Sequence, residues 1–291
     1  MSAAVEMAPG LLRLRAPNPS PLTGTGTNTY LVGQETLAVI DPGPDLAEHL
    51  DAILAASRGR PITQVIVTHA HRDHSALAPG LAARSGAEIL AYGRARDGMS
   101  PRMAALAAGP TASGEGLDLA FAPDRRLADG DRITGPDWQL RVLHTPGHLG
   151  NHICLALGDV LFTGDHVMGW ATSIVSPPEG DMGDYMESLR RLQETAWSRL
   201  LPGHGEPVDT PAARLDALLA HRLAREAQVL AALAEGPSTP AALTARIYAD
   251  IPPALLPAAE RNVLAHLLDL MSRNRVTADP APGPSARFAR L

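Results

Sequence analysis

Four side chains that can bind a metal follow a short apolar run, within six residues of one another. The run Val65-Ile66-Val67 reads as a buried strand, and it leads directly to His69, His71, Asp73 and His74. Neutral imidazoles and carboxylates are ligands that Zn²⁺ takes in proteins. Burying such groups without a metal or a charge partner is costly. The sequence therefore predicts a fold that places this cluster at the end of a strand, where it holds a metal.

Three later segments each place a further ligand-type residue on a tight turn after an apolar run. They are His144-Thr145-Pro146-Gly147-His148, Phe162-Thr163-Gly164-Asp165 and Leu201-Pro202-Gly203-His204-Gly205. Glycine lets the backbone come close to a metal centre or to a substrate. Each segment is a weak signal alone, but the four segments together predict one site built from distant parts of the chain.

The size and composition of the chain fit a globular protein. Its 291 residues are enough for one large domain, or for a large domain and a small one, and 45% apolar residues can fill a sizeable core. The formal net charge is -6, whereas nucleic-acid-binding proteins usually carry an excess of basic residues. Cys154 is the single cysteine, which excludes an intramolecular disulfide. Without a signal-like or membrane-spanning segment, we expect a cytoplasmic protein with no membrane partner.

Strand and helix patterns alternate up to about residue 208. Strands are predicted at 29–32, 37–40, 65–67, 140–143, 153–157 and 160–162, and helices at 45–56 and 184–196. Residues 93–116 are rich in Gly, Ala and Ser, and we expect them to be irregular. This alternation is typical of an α/β domain, which we assign to residues 1–208.

The pattern becomes mainly helical beyond residue 208. Thr210 and Pro211 favour the start of a long helix that runs to about Ala234. Two more helices follow, Arg275-Val276-Thr277 begins a candidate hairpin, and the tail from Pro280 is expected to be extended. Three helices and a hairpin predict a small winged-helix-like domain at residues 209–291.

The ligand-type residues resemble the pattern of the metallo-β-lactamase superfamily, whose fold is an αββα sandwich of two sheets packed between helices. The resemblance implies two zinc ions per chain and no organic cofactor. One zinc would be held by His69, His71 and His148, the second by Asp73, His74 and His204, with Asp165 as the bridge and Asp73 and Asp165 as the catalytic aspartates. His148 is preferred to His144 because the family's ligand follows Thr-Pro-Gly. Asp41 matches the family's early aspartate and is expected to orient a ligand or a loop.

Further segments resemble the lactamase-beta-like group, which includes an animal mitochondrial endoribonuclease. They are Gly26–Val32, Gly164–Gly169, Asp184–Leu189 and His221-Arg222. That group carries a winged-helix-like C-terminal domain, in agreement with the helix pattern. The resemblance implies cleavage of single-stranded RNA by a hydroxide that bridges two metals.

The site predicts hydrolysis but leaves the substrate open. Single-stranded RNA is the first candidate. A carboxylic ester, lactone or thioester, as in glyoxalase-II-like relatives, is the second. A metal-stabilised binding module is the third, and the complete ligand set disfavours it. Residues 209–291 have a net charge of +1, so they form no strongly basic patch.

Four residues are candidate substrate contacts. Met168 and Trp170 would give the cleft an apolar wall, where Trp170 can stack on a base or cover an acyl chain. His221 and Arg222 belong to the segment that resembles the ribonuclease group, and Arg222 would hold a phosphate. Winged helices also pack as lids or dimer contacts, so a homodimer is one expected assembly.

Overall fold

The computed structural model describes residues 4–109, 114 and 116–291, which form an αββα sandwich and a winged-helix domain. The strands are β1 (Val5–Ala8), β2 (Leu11–Arg15), β3 (Asn28–Val32), β4 (Leu37–Ile40), β5 (Ile62–Ile66), β6 (Glu88–Ala91), β7 (Arg125–Arg126), β8 (Arg132–Thr134), β9 (Gln139–His144), β10 (Ile153–Leu157), β11 (Val160–Gly164), β12 (Arg199–Pro202), β13 (Val276–Asp279) and β14 (Arg287–Arg290). The α-helices are α1 (Ala47–Ser57), α2 (Arg72–Ser75), α3 (Ala78–Ser85), α4 (Pro101–Ala107), α5 (Met182–Gln193), α6 (Pro211–Leu233), α7 (Pro240–Ile247) and α8 (Leu256–Ser272). This architecture confirms the predicted fold class.

Two sheets face each other across an apolar core. The first has the order β1-β2-β3-β4-β5-β6-β7, and the second has the order β12-β11-β10-β9-β8. Neighbouring residues of a strand point to opposite faces, so Tyr30 packs between the sheets while Leu31 packs under α1 and α3. Helices α5 and α6 cover the outer face of the second sheet. Among the described residues, no helix combines the length and the apolar composition needed to cross a bilayer.

The strands before the ligand-type residues share their directions. Strand β4 is parallel to β5, and β11 is parallel to β12. Strand β9 runs in the same direction as β11, because both are antiparallel to β10 between them. The loops that follow these five strands therefore leave each sheet at one edge, and they carry Asp41, the segment 69–74, His148, Asp165 and His204.

The C-terminal domain has its own core, formed by α7, α8, the second half of α6 and the β13–β14 hairpin. Helix α6 serves two cores, because Leu215 and Leu218 pack under the second sheet while Val229 and Leu233 pack in the C-terminal core. The boundary between residues 208 and 209 stays a prediction. The tail from Pro280, predicted to be extended, ends in β14, a strand that pairs with β13.

Residues expected to be irregular include a short helix. Ser100 caps α4 by accepting a hydrogen bond from the Met103 amide, and Pro101 is the first helical residue. Met103 packs into the C-terminal core, so α4 joins the two domains. The expectation was wrong there because a cap and a proline outweigh a Gly- and Ala-rich composition. Residues 110–113 and 115 of this stretch lie outside the described residues.

The predicted phosphate contact Arg222 lies in the protein interior, with 1% of its surface exposed. Its guanidinium donates hydrogen bonds to Oδ1 of Asn262, at 3.1 Å, and to the carbonyl of Ser173. It also lies over the ring of Tyr185, 5.1 Å from the centroid. A substrate phosphate cannot reach this side chain, so the interpretation of Arg222 as a substrate residue was wrong. Arg222 instead joins α6 to α8 and to the loop after Asp165.

We expect Arg222→Gln to lower the free energy of unfolding by about 2–4 kcal/mol, because it removes charged hydrogen bonds from the interior. Urea denaturation monitored by circular dichroism measures this change. Arg190→Gln is the control, because Arg190 is an exposed residue of α5. The control should change the free energy by less than ~0.5 kcal/mol. Equal, small effects of the two substitutions would contradict the buried role of Arg222.

Candidate metal centre

Three imidazoles from two loops converge at the edge of the sandwich. Nδ1 of His71 lies 3.1 Å from Nε2 of His69 and 3.0 Å from Nε2 of His148. Tetrahedral zinc with bonds of 2.0–2.1 Å would separate its nitrogen ligands by about 3.3 Å. Burial lowers the pKa of His71 to about 3 and lowers the pKa of His69 and His148 in the same direction. The three rings are therefore neutral and can donate lone pairs to a metal.

A second group joins Asp73, His74 and His204. Nε2 of His204 lies 3.2 Å from Oδ2 of Asp73 and 3.3 Å from Nε2 of His74. Burial acts to lower the pKa of His204, but the carboxylates of Asp165 and Asp73 outweigh it and raise the pKa to about 9. The same negative charge attracts a divalent cation, which would displace the imidazole protons on binding.

Asp165 lies between the two groups. Its Oδ2 is 3.3 Å from Nε2 of His204, 3.9 Å from Nε2 of His148 and 4.0 Å from Nε2 of His69. Its Oδ1 is buried and makes no hydrogen bond within the described part of the chain, although Nε2 of His74 is 3.4 Å away. An anionic oxygen left without a hydrogen bond fits a position between two cations.

The seven side chains thus converge in three overlapping sets, which include the two groups that the resemblance implies and a third that contains Asp165. Groups with converging ligand atoms are His69, His71 and His148; His69, His74 and Asp165; and Asp73, His74 and His204. The nitrogen spacing and the carboxylate oxygen without a hydrogen bond from the described residues are those of residues that fit a bound metal. Their roles as ligands stay a prediction.

Asp41 contacts His74 of the second group on the side of the ring opposite to Asp73 and His204. It accepts hydrogen bonds from the amide of Thr68 at 2.7 Å and from Oγ1 of Thr68 at 2.8 Å. Its Oδ2 lies 2.9 Å from Nδ1 of His74. A proton on Nδ1 leaves Nε2 of His74 free to face Asp73 and Asp165, as in a carboxylate–histidine–metal arrangement. This geometry matches the orienting role expected for Asp41.

Some contacts of the site could not be predicted from the sequence. Oγ1 of Thr27 donates to Oδ2 of Asp73 at 3.3 Å, and Nδ1 of His148 lies 2.6 Å from the carbonyl of Ile174. Both contacts orient a ligand-type side chain. Thr27 is 46 residues from Asp73 along the chain, so only the fold brings them together.

Gly203 lies in close contact with two ligand-type side chains, as expected for a glycine beside the site. A Cβ atom at this position would lie 2.6 Å from Oδ1 of Asp165 and 2.7 Å from Cε1 of His74. Both separations are far shorter than van der Waals contact. A larger residue at position 203 would therefore push the ligand-type side chains apart.

Other residues of the sequence argument lie around this centre. His144 stacks on Tyr92 at a centroid distance of 3.9 Å, away from the two groups. Buried His152 lies behind His69, with 5.1 Å between ring centroids, and belongs to neither group. Cys154 is buried and receives a hydrogen bond from Thr145, and burial raises the pKa of its thiol to about 12.

The candidate substrate residues have different positions. Trp170 is half exposed beside Gly205, whereas Met168 is buried behind it. His221 is half-buried on α6, where burial and the nearby Arg222 lower its pKa. It lines neither the metal-binding groups nor the cavity that contains Trp170.

Two family models match this chain. Residues 22–204 match the model described as the metallo-beta-lactamase superfamily, and residues 239–283 match the model described as the beta-lactamase associated winged helix domain. The first match covers the sandwich from β3 onwards with all seven ligand-type residues, and the second covers α7, α8 and β13 of the C-terminal domain.

Individual proteins are similar over most of the chain. The "Beta-lactamase-like protein 2 homolog" of Drosophila melanogaster is 29% identical over 288 residues, which cover 94% of this chain and 92% of that protein. The "Atrochrysone carboxyl ACP thioesterase" of Aspergillus fumigatus is 29% identical over 267 residues, covering 84% and 76% respectively. A solved structure, of a beta-lactamase domain protein from Burkholderia ambifaria, superposes with a TM-score of 0.82 at 27% identity, covering 99% of this chain and 93% of that one.

We expect Asp41→Asn to weaken metal binding about 10–100-fold, because an amide nitrogen would face Nδ1 of His74 and disturb its orientation. Titration with a chelator, followed by elemental analysis, measures this loss. Asp45→Asn is a matched control, because it makes the same change four residues away at an exposed position. Wild-type metal affinity in the D41N variant would refute the positioning role of Asp41.

Proposed function

The chain belongs to the metallo-β-lactamase superfamily, and from this premise we propose that it is a hydrolase that binds two zinc ions and cleaves carboxylic thioesters or esters. The observation that carries the proposal is the pair of ligand groups that share the carboxylate of Asp165. Five imidazoles and two carboxylates form a donor set that suits zinc better than calcium or magnesium, which prefer oxygen ligands.

The chemistry divides between the metals and the protein. When bound, two zinc ions supply Lewis acidity and lower the pKa of water towards neutrality. Asp73 is the more exposed of the two aspartates in the centre, with 29% of its side chain accessible against 12% for Asp165. Asp73 is therefore the aspartate that water or substrate can reach, and it can orient a water by accepting its hydrogen bond, while Asp165 lies inside between the two groups.

Carboxylic thioesters and esters are favoured over RNA by the surroundings of the centre. The arginine expected to hold a phosphate, Arg222, is buried and already bonded. The exposed indole of Trp170 instead offers an apolar surface near the ligand groups. A relative named as an acyl carrier protein thioesterase supports the same substrate class.

Single-stranded RNA is the second candidate, and the winged-helix domain favours it. Helix-turn-helix modules of related design place a helix against nucleic acid. The net charge of +1 over residues 209–291 gives this domain little electrostatic attraction for a phosphate backbone. RNA therefore stands behind the acyl substrates.

We expect gently purified protein to contain close to two zinc ions per chain by elemental analysis. Asp165→Ala should lose at least one of them, because the shared carboxylate is removed, while the sheets keep the fold. Asp159→Ala is the control, since Asp159 is exposed just before β11 and Asp165 follows the other end of the same strand. A saturated wild-type protein with a single metal would refute the two-metal proposal.

We expect the zinc-loaded protein to hydrolyse an acetyl thioester of N-acetylcysteamine and to leave a single-stranded RNA oligonucleotide intact. His71→Ala should reduce turnover by more than ~100-fold, because losing even an indirect partner of a metal ligand costs ~10–100-fold. Thiol release measures the first reaction, and gel electrophoresis measures the second. Cleavage of RNA that depends on His71, without thioester turnover, would replace the first candidate with the second.

A further inference from the structure

A cavity of about 770 Å³ lies next to the turn that carries His204. Its lining includes Gly24, Trp170, the segment 205–210, and Ala213 and Ala217 near the start of α6. The lining begins at Gly205, the residue after His204, and continues from the loop after Asp165. Its volume is in the range of sites for drug-sized organic molecules. The cavity therefore borders the turn that carries His204 and the loop that follows Asp165.

Trp170 forms a wall of this cavity. A Cβ atom at Gly205 would lie 2.4 Å from Cδ1 of Trp170, and one at Gly24 would lie 3.3 Å from Cζ2. The indole therefore rests directly on the backbone next to His204. It is 48% exposed, whereas Trp138 and Trp197 are each 7% exposed. An exposed indole face against a cavity is a surface that apolar groups cover favourably.

Arg214 fixes the loop that carries Trp170. Its Nε donates to the carbonyl of Met168 at 2.7 Å, and a terminal nitrogen donates to the carbonyl of Ala171 at 2.5 Å. These two carbonyls flank Gly169 and Trp170. The guanidinium thus holds the indole in place from α6, and its hydrogen bonds serve the protein itself.

The acidic groups at the cavity are also paired. Glu206 bonds Arg13 at 2.8 Å and also bonds Arg15, and Asp209 bonds Arg199 at 2.6 Å. Between these pairs the wall is formed by Pro207, Val208, Ala213 and Ala217. An apolar ligand matches this lining better than a phosphodiester, because the arginines and carboxylates at the cavity bond one another and leave apolar surface between them.

We propose that this cavity binds the acyl chain of the substrate, an apolar chain or ring of medium length that packs against Trp170. The inference rests on the proposed thioester or ester hydrolysis at the neighbouring centre. In that reaction, water adds its oxygen to the carbonyl carbon, the bond from carbon to sulfur or oxygen breaks, and the leaving thiol or alcohol takes up a proton. The fit of the acyl chain in the cavity determines which substrates are preferred, and this chain remains part of the acid product.

The first experiment measures binding without turnover. The zinc-loaded full chain is titrated with the S-decyl thioether of N-acetylcysteamine, which has no carbonyl to hydrolyse, and tryptophan emission is recorded. We expect a saturable change in emission that Trp170→Phe removes. Ala217→Phe should weaken binding by at least ~10-fold, because the new ring fills the cavity.

Ala227→Phe is the matched control. Ala227 is exposed on α6 and lies ten residues, about 15 Å, beyond Ala217 along the helix. The control should bind the thioether like the wild type. If Ala217→Phe lowers the melting temperature, Ala213→Phe replaces it, because Ala213 also lines the cavity.

The second experiment compares turnover of acetyl, hexanoyl and decanoyl thioesters. We expect kcat/KM of the wild type to rise by at least ~10-fold along the series, because buried methylene groups contribute to binding. Ala217→Phe should flatten this rise, and Ala227→Phe should keep it. A flat series in the wild type, together with equal thioether affinity of the wild type and Ala217→Phe, would overturn the acyl site.

The two proposals fail in different ways. Thioether binding that depends on Trp170, without turnover of any thioester, would support the apolar site and overturn the proposed reaction. Turnover of the acetyl thioester without thioether binding would overturn the acyl site and leave the reaction. A change in Trp170 emission with an RNA oligonucleotide, but not with the thioether, would assign the cavity to a nucleobase and overturn the acyl site.

Discussion

The mutual approach of buried imidazoles and carboxylates is the constraint on which this structure depends. Two histidine nitrogens lie within 3.1 Å of Nδ1 of His71, and the carboxylate of Asp165 reaches both ligand groups. Such crowding is unfavourable without a cation, because desolvated polar groups need partners. The fold can still bring these groups together, because their backbone is fixed by the strand ends and tight glycine turns that carry them. Asp41 and the Ile174 carbonyl fix the rings in the same way.

The C-terminal domain supports the loop that follows Asp165. Arg222 of α6 bonds the carbonyl of Ser173, and Oδ1 of Asn262 in α8 accepts the amide of Val175 at 3.0 Å. Arg214 of α6 bonds the same loop at Met168 and Ala171. The first half of the loop after Asp165 is thus bonded to α6, and its second half is bonded to both α6 and α8. In this way the domain shapes the substrate side of the centre through arginines that point inward.

The cavity and the metal centre are both built on the turn at His204 and Gly205. His204 and Gly205 are adjacent, so the turn that presents a ligand-type imidazole also receives the indole of Trp170. A change in this turn would alter the metal geometry and the cavity wall together. Substrate preference can change more freely on α6, where Ala213 and Ala217 line the cavity and lie outside this turn.

The sequence by itself determined the fold class, because strand ends and glycine turns are local features, and the seven ligand-type residues that it predicted lie close together in the structure. It also determined the long helix after Pro211, through a proline start and apolar spacing. Only the tertiary structure decided what Arg222 does, because an arginine on a helix reads the same whether it faces solvent or the interior. It also decided the partners of Asp73 and Trp170, since Thr27, Gly24 and Gly205 are far from them in sequence. Local propensity carries no information about such contacts, which exist only once the two sheets and α6 have packed.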